Sequence, residues 1–167
     1  MSGLEIERKF LVRKKGGEYT KAAFSVSHIK QGYIPADGAS VRIRVRDEQA
    51  FLTIKSRSLN GGLTRYEFEI EIPFADADDL LKLCRGGFID KRRYLVNSGS
   101  HVFEVDEFYG PNEGLVVAEV ELASEDEPYA KPAFIGPEVT GDRRFRNSSL
   151  LSFPYALWQE TIPEEFR

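Results

Sequence analysis

Hydrophobic and polar residues alternate singly over most of this chain. Segments near 3–13, 27–34, 40–47, 50–57, 63–72, 88–96, 101–109 and 114–123 are rich in Val, Ile, Leu, Phe and Tyr, and their alternation has the period of a strand with one face buried. Turn-forming clusters separate them: Pro35-Ala36-Asp37-Gly38, Asp47-Glu48, Asn60-Gly61-Gly62, Asn97-Ser98-Gly99 and Gly110-Pro111-Asn112-Glu113-Gly114. Most of these links are short enough for hairpins, so neighbouring strands should run antiparallel. One helix interrupts the strands. Asp76 or Asp78 can cap it, Leu80, Leu81 and Leu83 give it an apolar side, and Gly86-Gly87 ends it. After residue 123 the pattern changes. Ser124-Glu125-Asp126-Glu127 reads as a helix start with acids near the positive end of the dipole. Residues 147–160 read as one or two short apolar helices broken near Pro154. The prediction is an α+β fold, an antiparallel sheet of about eight strands with helices at one side or end. That strand number is one at which a sheet can close into a barrel.

The polar positions of these strands are mostly charged. One parity carries Glu5, Glu7 and Lys9; then Arg42, Arg44 and Arg46; then Thr53, Lys55 and Arg57; then Arg65, Glu67, Glu69 and Glu71. It continues with Lys91 and Arg93, Glu104 and Asp106, and Glu119 and Glu121. Side chains alternate faces with a period of two, so each set lies on one face. If the strands form one sheet, that face gathers nine acids and nine bases. A half-solvated sheet would also alternate, but an idle wet face has no need to segregate acids and bases by strand. Like charges at i and i+2, or opposite one another on neighbouring strands, repel. A bound metal with a polyanion offsets both repulsions. All-carboxylate clusters suit hard divalent cations such as Mg2+ or Mn2+, and arginine forks match phosphate oxygens. Arg46, Arg57 and Glu71 lie toward strand ends and read as rim charges, Arg8 falls on the other parity, and Tyr33 and Phe68 read as packing residues.

Composition narrows the picture. At 167 residues and 18.9 kDa, with 41% hydrophobic and 30% charged residues, the chain fits one domain over 1–167. No apolar run approaches the ~18 residues of a membrane span, and the acidic start Met1-Ser2-Gly3-Leu4-Glu5 lacks the apolar core of a signal peptide. Cys84 is the only cysteine; it forms no internal disulfide and fits a reducing cytoplasm. A net charge of −4 disfavours duplex nucleic acid as a partner. His28 and His101 have no cysteine or histidine neighbours for zinc. There is neither a Gly-x-x-x-x-Gly-Lys loop nor a Gly-x-Ser-x-Gly elbow.

The opening Glu5-Ile6-Glu7-Arg8-Lys9-Phe10 resembles the Glu-x-Glu-x-Lys signature of the CYTH superfamily, the triphosphate tunnel metalloenzymes. The resemblance runs on through Gln31-Gly32-Tyr33, Val41-Arg42-Ile43-Arg44, Leu52-Thr53-Ile54-Lys55 and Arg65-Tyr66-Glu67-Phe68-Glu69-Ile70. It continues in Lys91-Arg92-Arg93-Tyr94, Phe103-Glu104-Val105-Asp106, Ala118-Glu119-Val120-Glu121 and Glu138-Val139-Thr140-Gly141-Asp142 through Asn147. It implies a closed eight-stranded antiparallel barrel whose charged lumen binds a small triphosphate with Mg2+ or Mn2+. By matching positions, Glu5, Glu7, Glu119 and Glu121 are implied metal ligands, with Asp106 and Glu69 supporting them. Arg42, Arg44, Lys55, Lys91 and Arg93 are the implied phosphate clamp, Lys9 completes the signature, and Arg143 or Arg144 matches a basic residue of the C-terminal motif. Lys9, Lys91, Glu69 and Asp106 are the candidate catalytic groups; Lys91, surrounded by bases, could titrate low enough to move a proton. Phe145 stands where many relatives carry tyrosine, and 153–167 has no motif beyond a segment that could close one tunnel end. The implied activity is hydrolysis of a triphosphate, inorganic tripolyphosphate first. Thiamine triphosphate, an adenylate cyclase on the same scaffold, and a non-catalytic polyphosphate or nucleotide sensor are the alternatives. The resemblance also admits a homodimer.

Overall fold

The alternating segments become nine strands in a computed structural model that describes residues 3–58 and 64–167. They are β1 (Gly3–Val12), β2 (Ser25–Ile34), β3 (Ala39–Arg46), β4 (Gln49–Ser56), β5 (Thr64–Ile72), β6 (Ile89–Ser98), β7 (His101–Phe108), β8 (Val116–Glu121) and β9 (Ile135–Glu138). Every pairing is antiparallel, in the order β5-β4-β3-β2-β6-β7-β8-β1. β1 closes the ring by pairing β5 through Gly3↔Glu67 to Ile6↔Thr64. Further along, β1 pairs β8 and then takes the short β9 alongside Phe10 and Val12. The result is a closed eight-stranded barrel with one extra strand and three α-helices among the described residues: α1 (Glu18–Ala22), α2 (Ala77–Lys82) and α3 (Asn147–Ser152). The expected Asn60-Gly61-Gly62 turn and Leu63 lie outside the described residues.

Which face turns inward decides everything else. The apolar parity of β1 and β6–β8 faces out, where Phe10, Val12, Phe103, Val105, Ala118 and Val120 are buried under Tyr19 of α1, Phe134 and Tyr129. On the opposite wall the outward face is thinly covered: Ile54, Phe68, Ile70, Tyr66 and Leu4 keep 37–68% of their surface. The inward face is charged along most of its length and turns apolar at one end. There Leu11, Ile89, Phe108 and Val117 meet Phe145, Leu150, Tyr155 and Trp158 from the C-terminal segment. That segment seats tightly: a Cβ on Gly136 of β9 would fall 2.3 Å from the Phe166 ring.

Two expectations about helices meet different outcomes. Residues 147–160 do form α3 followed by 3-10 turns at Tyr155–Leu157 and Gln159–Thr161, with Pro154 between. Residues 124–127 form a turn, not a helix. Four consecutive polar residues give a helix nothing to bury, and the Glu127 carboxylate instead accepts the Ala123 N–H. The predicted helix after β5 is α2, with Asp76 at its N-cap position, and the chain leaves it through Gly86 and Gly87, whose φ values of 75° and 87° suit glycine.

Candidate active site

Register carries the charged parity around the whole barrel. Glu5 faces Arg65 across β1–β5, Lys55 faces Glu67, Arg42 faces Thr53, and Thr53 faces Glu69. On the other side Arg93 faces Asp106, Glu104 faces Glu119, and Glu119 faces Lys9. Apart from Asp106, these positions line a cavity of about 460 Å³. Glu5, Glu7, Lys9, Arg42, Arg44, Lys55, Glu69, Arg93, Glu119 and Glu121 all line it.

The cavity has two kinds of wall. β1 and β8 contribute the acids. Glu5 accepts from Lys55 Nζ at 2.7 Å and lies 4.0 Å from Arg65 Nε. Glu7 and Glu119 interact across the β1–β8 pairing and are shifted in opposite directions. Burial, reinforced by the Glu119 charge, raises Glu7 well above the usual carboxylate range. Burial would raise Glu119 too, but Lys9 at 3.3 Å and the interaction with Glu7 hold it well below. Lys9 also donates to the Phe145 carbonyl at 3.2 Å, and although burial opposes its charge, Glu119 and Glu7 raise it. Glu121 is raised by burial and by Glu5 and Glu104. Among the described residues no three carboxylate, imidazole or thiol groups already form a metal site; Glu5 and Glu119 are turned to lysines. The donor chemistry nevertheless fits a hard divalent cation, because only oxygen ligands are offered and burial with the neighbouring carboxylate charge leaves Glu7 short of a positive partner.

β3 and β6 contribute the bases. Arg42 Nη2 donates to Thr53 Oγ1 at 3.0 Å and to Glu69 at 3.4 Å, yet its buried Nε has no partner among the described residues. Arg44 donates to the buried Gln31 at 2.8 Å, a neutral partner, and Gln31 donates to Tyr33 Oη at 3.0 Å. Burial, with Arg42 and Arg93 nearby, pushes Arg44 down to about 9. An arginine lowered that far marks a place crowded with positive charge, which an anion relieves. Glu69 is kept low, since the Thr53 hydroxyl and Arg42 outweigh its burial.

Behind the bases sits a second layer. Lys91 is fully buried, bonded to Asp106 Oδ2 at 2.7 Å and Asn147 Oδ1 at 3.1 Å. Arg93 grips the same Asp106 through Nε at 2.7 Å and Nη2 at 2.8 Å. Burial would raise Asp106, but Arg93 and Lys91 bring it down to about 2; burial takes Lys91 down to about 7 against the pull of Asp106. Neither residue lines the cavity. Both Asp106 oxygens are spent on positioning bases.

The remaining sequence-derived residues fall elsewhere. Arg144 clamps Asp142 at 2.7 Å and lies over the Trp158 ring at 5.0 Å, outside the cavity, and Arg143 is exposed beside it. Arg57 is exposed with Asp37 3.7 Å away, and Arg8 pairs with Glu138 at 3.1 Å on the outer surface. Arg46 and Tyr33, read from sequence as rim and packing residues, line the cavity. So do Arg146, Asn147 and Ser148, which lie in and after a turn where strand parity carries no information.

The CYTH domain family model matches residues 3–150. An inorganic triphosphatase of Acetivibrio thermocellus is 45% identical over 160 residues, spanning 95% of this chain and 99% of that protein. An inorganic triphosphatase of Nitrosomonas europaea is 36% identical over 156 residues, spanning 90% and 99%. A solved structure of an inorganic triphosphatase superposes with a TM-score of 0.60 at 32% identity, covering 88% of this chain and 93% of that one.

Proposed function

The chain belongs to the CYTH domain family, and on that footing we propose that it is a triphosphatase that hydrolyses inorganic tripolyphosphate to pyrophosphate and orthophosphate with Mg2+ or Mn2+. The observation that carries this is the charged lumen, in which the carboxylates of β1 and β8 and the arginines of β3 and β6 line one cavity. Inorganic triphosphatases at 45% and 36% identity support the same reading.

Phosphoryl transfer asks mainly for positioning and charge neutralisation. Arg42, Arg44 and Arg93 present forks to the phosphate oxygens, and Lys55 adds a point charge. Asp106 and Lys91 hold Arg93 rigid, so its orientation is set before substrate arrives. Glu5, Glu7, Glu119 and Glu121 would hold the divalent cation, Glu5 and Glu119 exchanging their lysine partners for it. When bound, that cation neutralises phosphate charge and orients water. Glu69, ionised, fixes Arg42 and Thr53. Water attacks a terminal phosphorus, the bridging P–O bond breaks, and pyrophosphate leaves with its charge stabilised by the arginines.

The test is a product analysis with tripolyphosphate, ATP and thiamine triphosphate, each with Mg2+ or Mn2+. Orthophosphate release, fastest from tripolyphosphate, is the expected result. Cyclic AMP and pyrophosphate from ATP would overturn it in favour of a cyclase, and tight binding without turnover in favour of a sensor. Glu5→Gln should lower metal-dependent turnover at least about a hundred-fold, since a cation supplies several kcal/mol of charge stabilisation. Wild-type rates in that variant would remove Glu5 from the cation site.

A further inference from the structure

Arg146 lines the cavity from the segment that joins the turn at Arg143–Phe145 to α3, outside any strand. The residue before it, Phe145, is buried in the apolar plug and gives its carbonyl to Lys9 Nζ at 3.2 Å. The residue after it, Asn147, gives its Oδ1 to the buried Lys91 at 3.1 Å. Its own carbonyl accepts the Leu150 N–H at 3.0 Å as α3 begins. The neighbours of Arg146 are therefore tied to Lys9 on one side and to the buried Lys91 on the other, and Arg146 itself lines the cavity.

Its surroundings are cationic. Burial, with Arg65 and Arg143 nearby, lowers its affinity for its proton. Arg65 is 4.0 Å from Glu5, whose carboxylate Lys55 holds more closely at 2.7 Å. Arg146 itself makes no ion pair or side-chain hydrogen bond among the described residues. A part-buried guanidinium at a cavity wall beside other cations, without a counter-ion, favours an anion there.

We propose that Arg146 is a phosphate contact of this site, meeting one end of the polyanion at the plugged end of the cavity together with Arg65. The inference deepens the triphosphatase reading and rests on it for the identity of the anion. It also assigns the cavity-facing basic residue of the Glu138–Asn147 motif to Arg146, with Arg143 and Arg144 outside.

The experiment measures binding of tripolyphosphate to metal-free protein in EDTA, where turnover plays no part, by titration calorimetry. Loss of one set of charge-assisted hydrogen bonds should make Arg146→Gln bind roughly ten- to a hundred-fold more weakly. Arg146→Lys should recover part of the loss, because it restores the charge without the fork. Arg92→Gln, on the outward face of β6, should bind like wild type. Because Arg146 has no internal partner to lose, the ligand-free Arg146→Gln protein should melt at or slightly above the wild-type temperature. Arg146→Gln binding within two-fold of wild type overturns the assignment, as does a loss that Arg92→Gln shares. Wild-type protein that binds tripolyphosphate in EDTA yet releases no orthophosphate once Mg2+ or Mn2+ is supplied in excess overturns the hydrolase reading and leaves the Arg146 comparison intact; wild-type protein that does not bind it overturns both.

Discussion

Asp106 and Glu104 sit two residues apart on β7 and both touch Arg93, but their surroundings separate them. Asp106 is buried and satisfies two cations, Arg93 at 2.7 Å and Lys91 at 2.7 Å. Glu104 meets Arg93 Nη1 at 2.5 Å with 42% of its side chain in water. Removing one partner of a buried pair leaves an uncompensated charge, worth about 3–5 kcal/mol, whereas a solvated pair contributes about 0–1 kcal/mol. Asp106→Asn should therefore destabilise the metal-free protein by about 3–5 kcal/mol in urea unfolding, and Glu104→Gln by less than about 1 kcal/mol. Equal, small losses would mean that Asp106 is free to serve another purpose, such as holding a metal. Sequence parity places both acids on the lumen face. Depth is what it does not carry: Asp106 is opposite Val117 and Lys91 is opposite Phe108, and those neighbours depend on strand registers that alternation alone leaves open.

At the scale of elements, most strands were legible because their alternation is strict, and the plugged end had a signal that parity could have revealed. Along the inward face charge gives way to Leu11 after Lys9, to Ile89 before Lys91, to Val117 before Glu119 and to Phe108 after Asp106. Four strands change character at the same level, which is where the C-terminal turns pack. β9 and α1, at four and five residues, are too short to show a period. α1 is anchored to the barrel by a polar tie: Tyr19 donates to Glu107 Oε2 at 2.6 Å, and Tyr109 to Oε1 of the same carboxylate at 3.0 Å. Burial and those bonds push Tyr109 up to about 12, and raise Tyr19 as well. A raised acid favours the folded state below its unfolded value near 10 and loses that contribution as pH climbs through the folded value. Stability should accordingly fall between pH 10 and about 12, followed by urea unfolding at each pH. The double variant Tyr19→Phe with Tyr109→Phe should start less stable at pH 8 and lose less over that window. A parallel decline in both proteins would assign the alkaline loss to other groups.

The whole molecule is a ring of antiparallel strands wrapped around repelling charges, with its apolar faces turned outward or to one end. A ligand that neutralises the lumen must then act on the fold as well as on the chemistry, because it binds the folded ring and not the scattered charges of the unfolded chain. Linkage sets the size: at a hundred times its dissociation constant, such a ligand adds about 2.7 kcal/mol. For a chain of this length each kcal/mol moves the melting temperature by about 2–4 °C, so tripolyphosphate in EDTA should raise it by roughly 5–10 °C. Sodium chloride at matched ionic strength is the necessary comparison, since salt screens exposed charges over ~8–10 Å without engaging buried ones. Its shift should be much smaller, because the repulsion that an anion relieves, among Arg42, Arg44 and Arg93, lies inside the cavity wall. If sodium chloride stabilised as strongly as the polyanion, diffuse surface charge would account for the effect, and the enclosed charges would need another explanation than a bound phosphate chain.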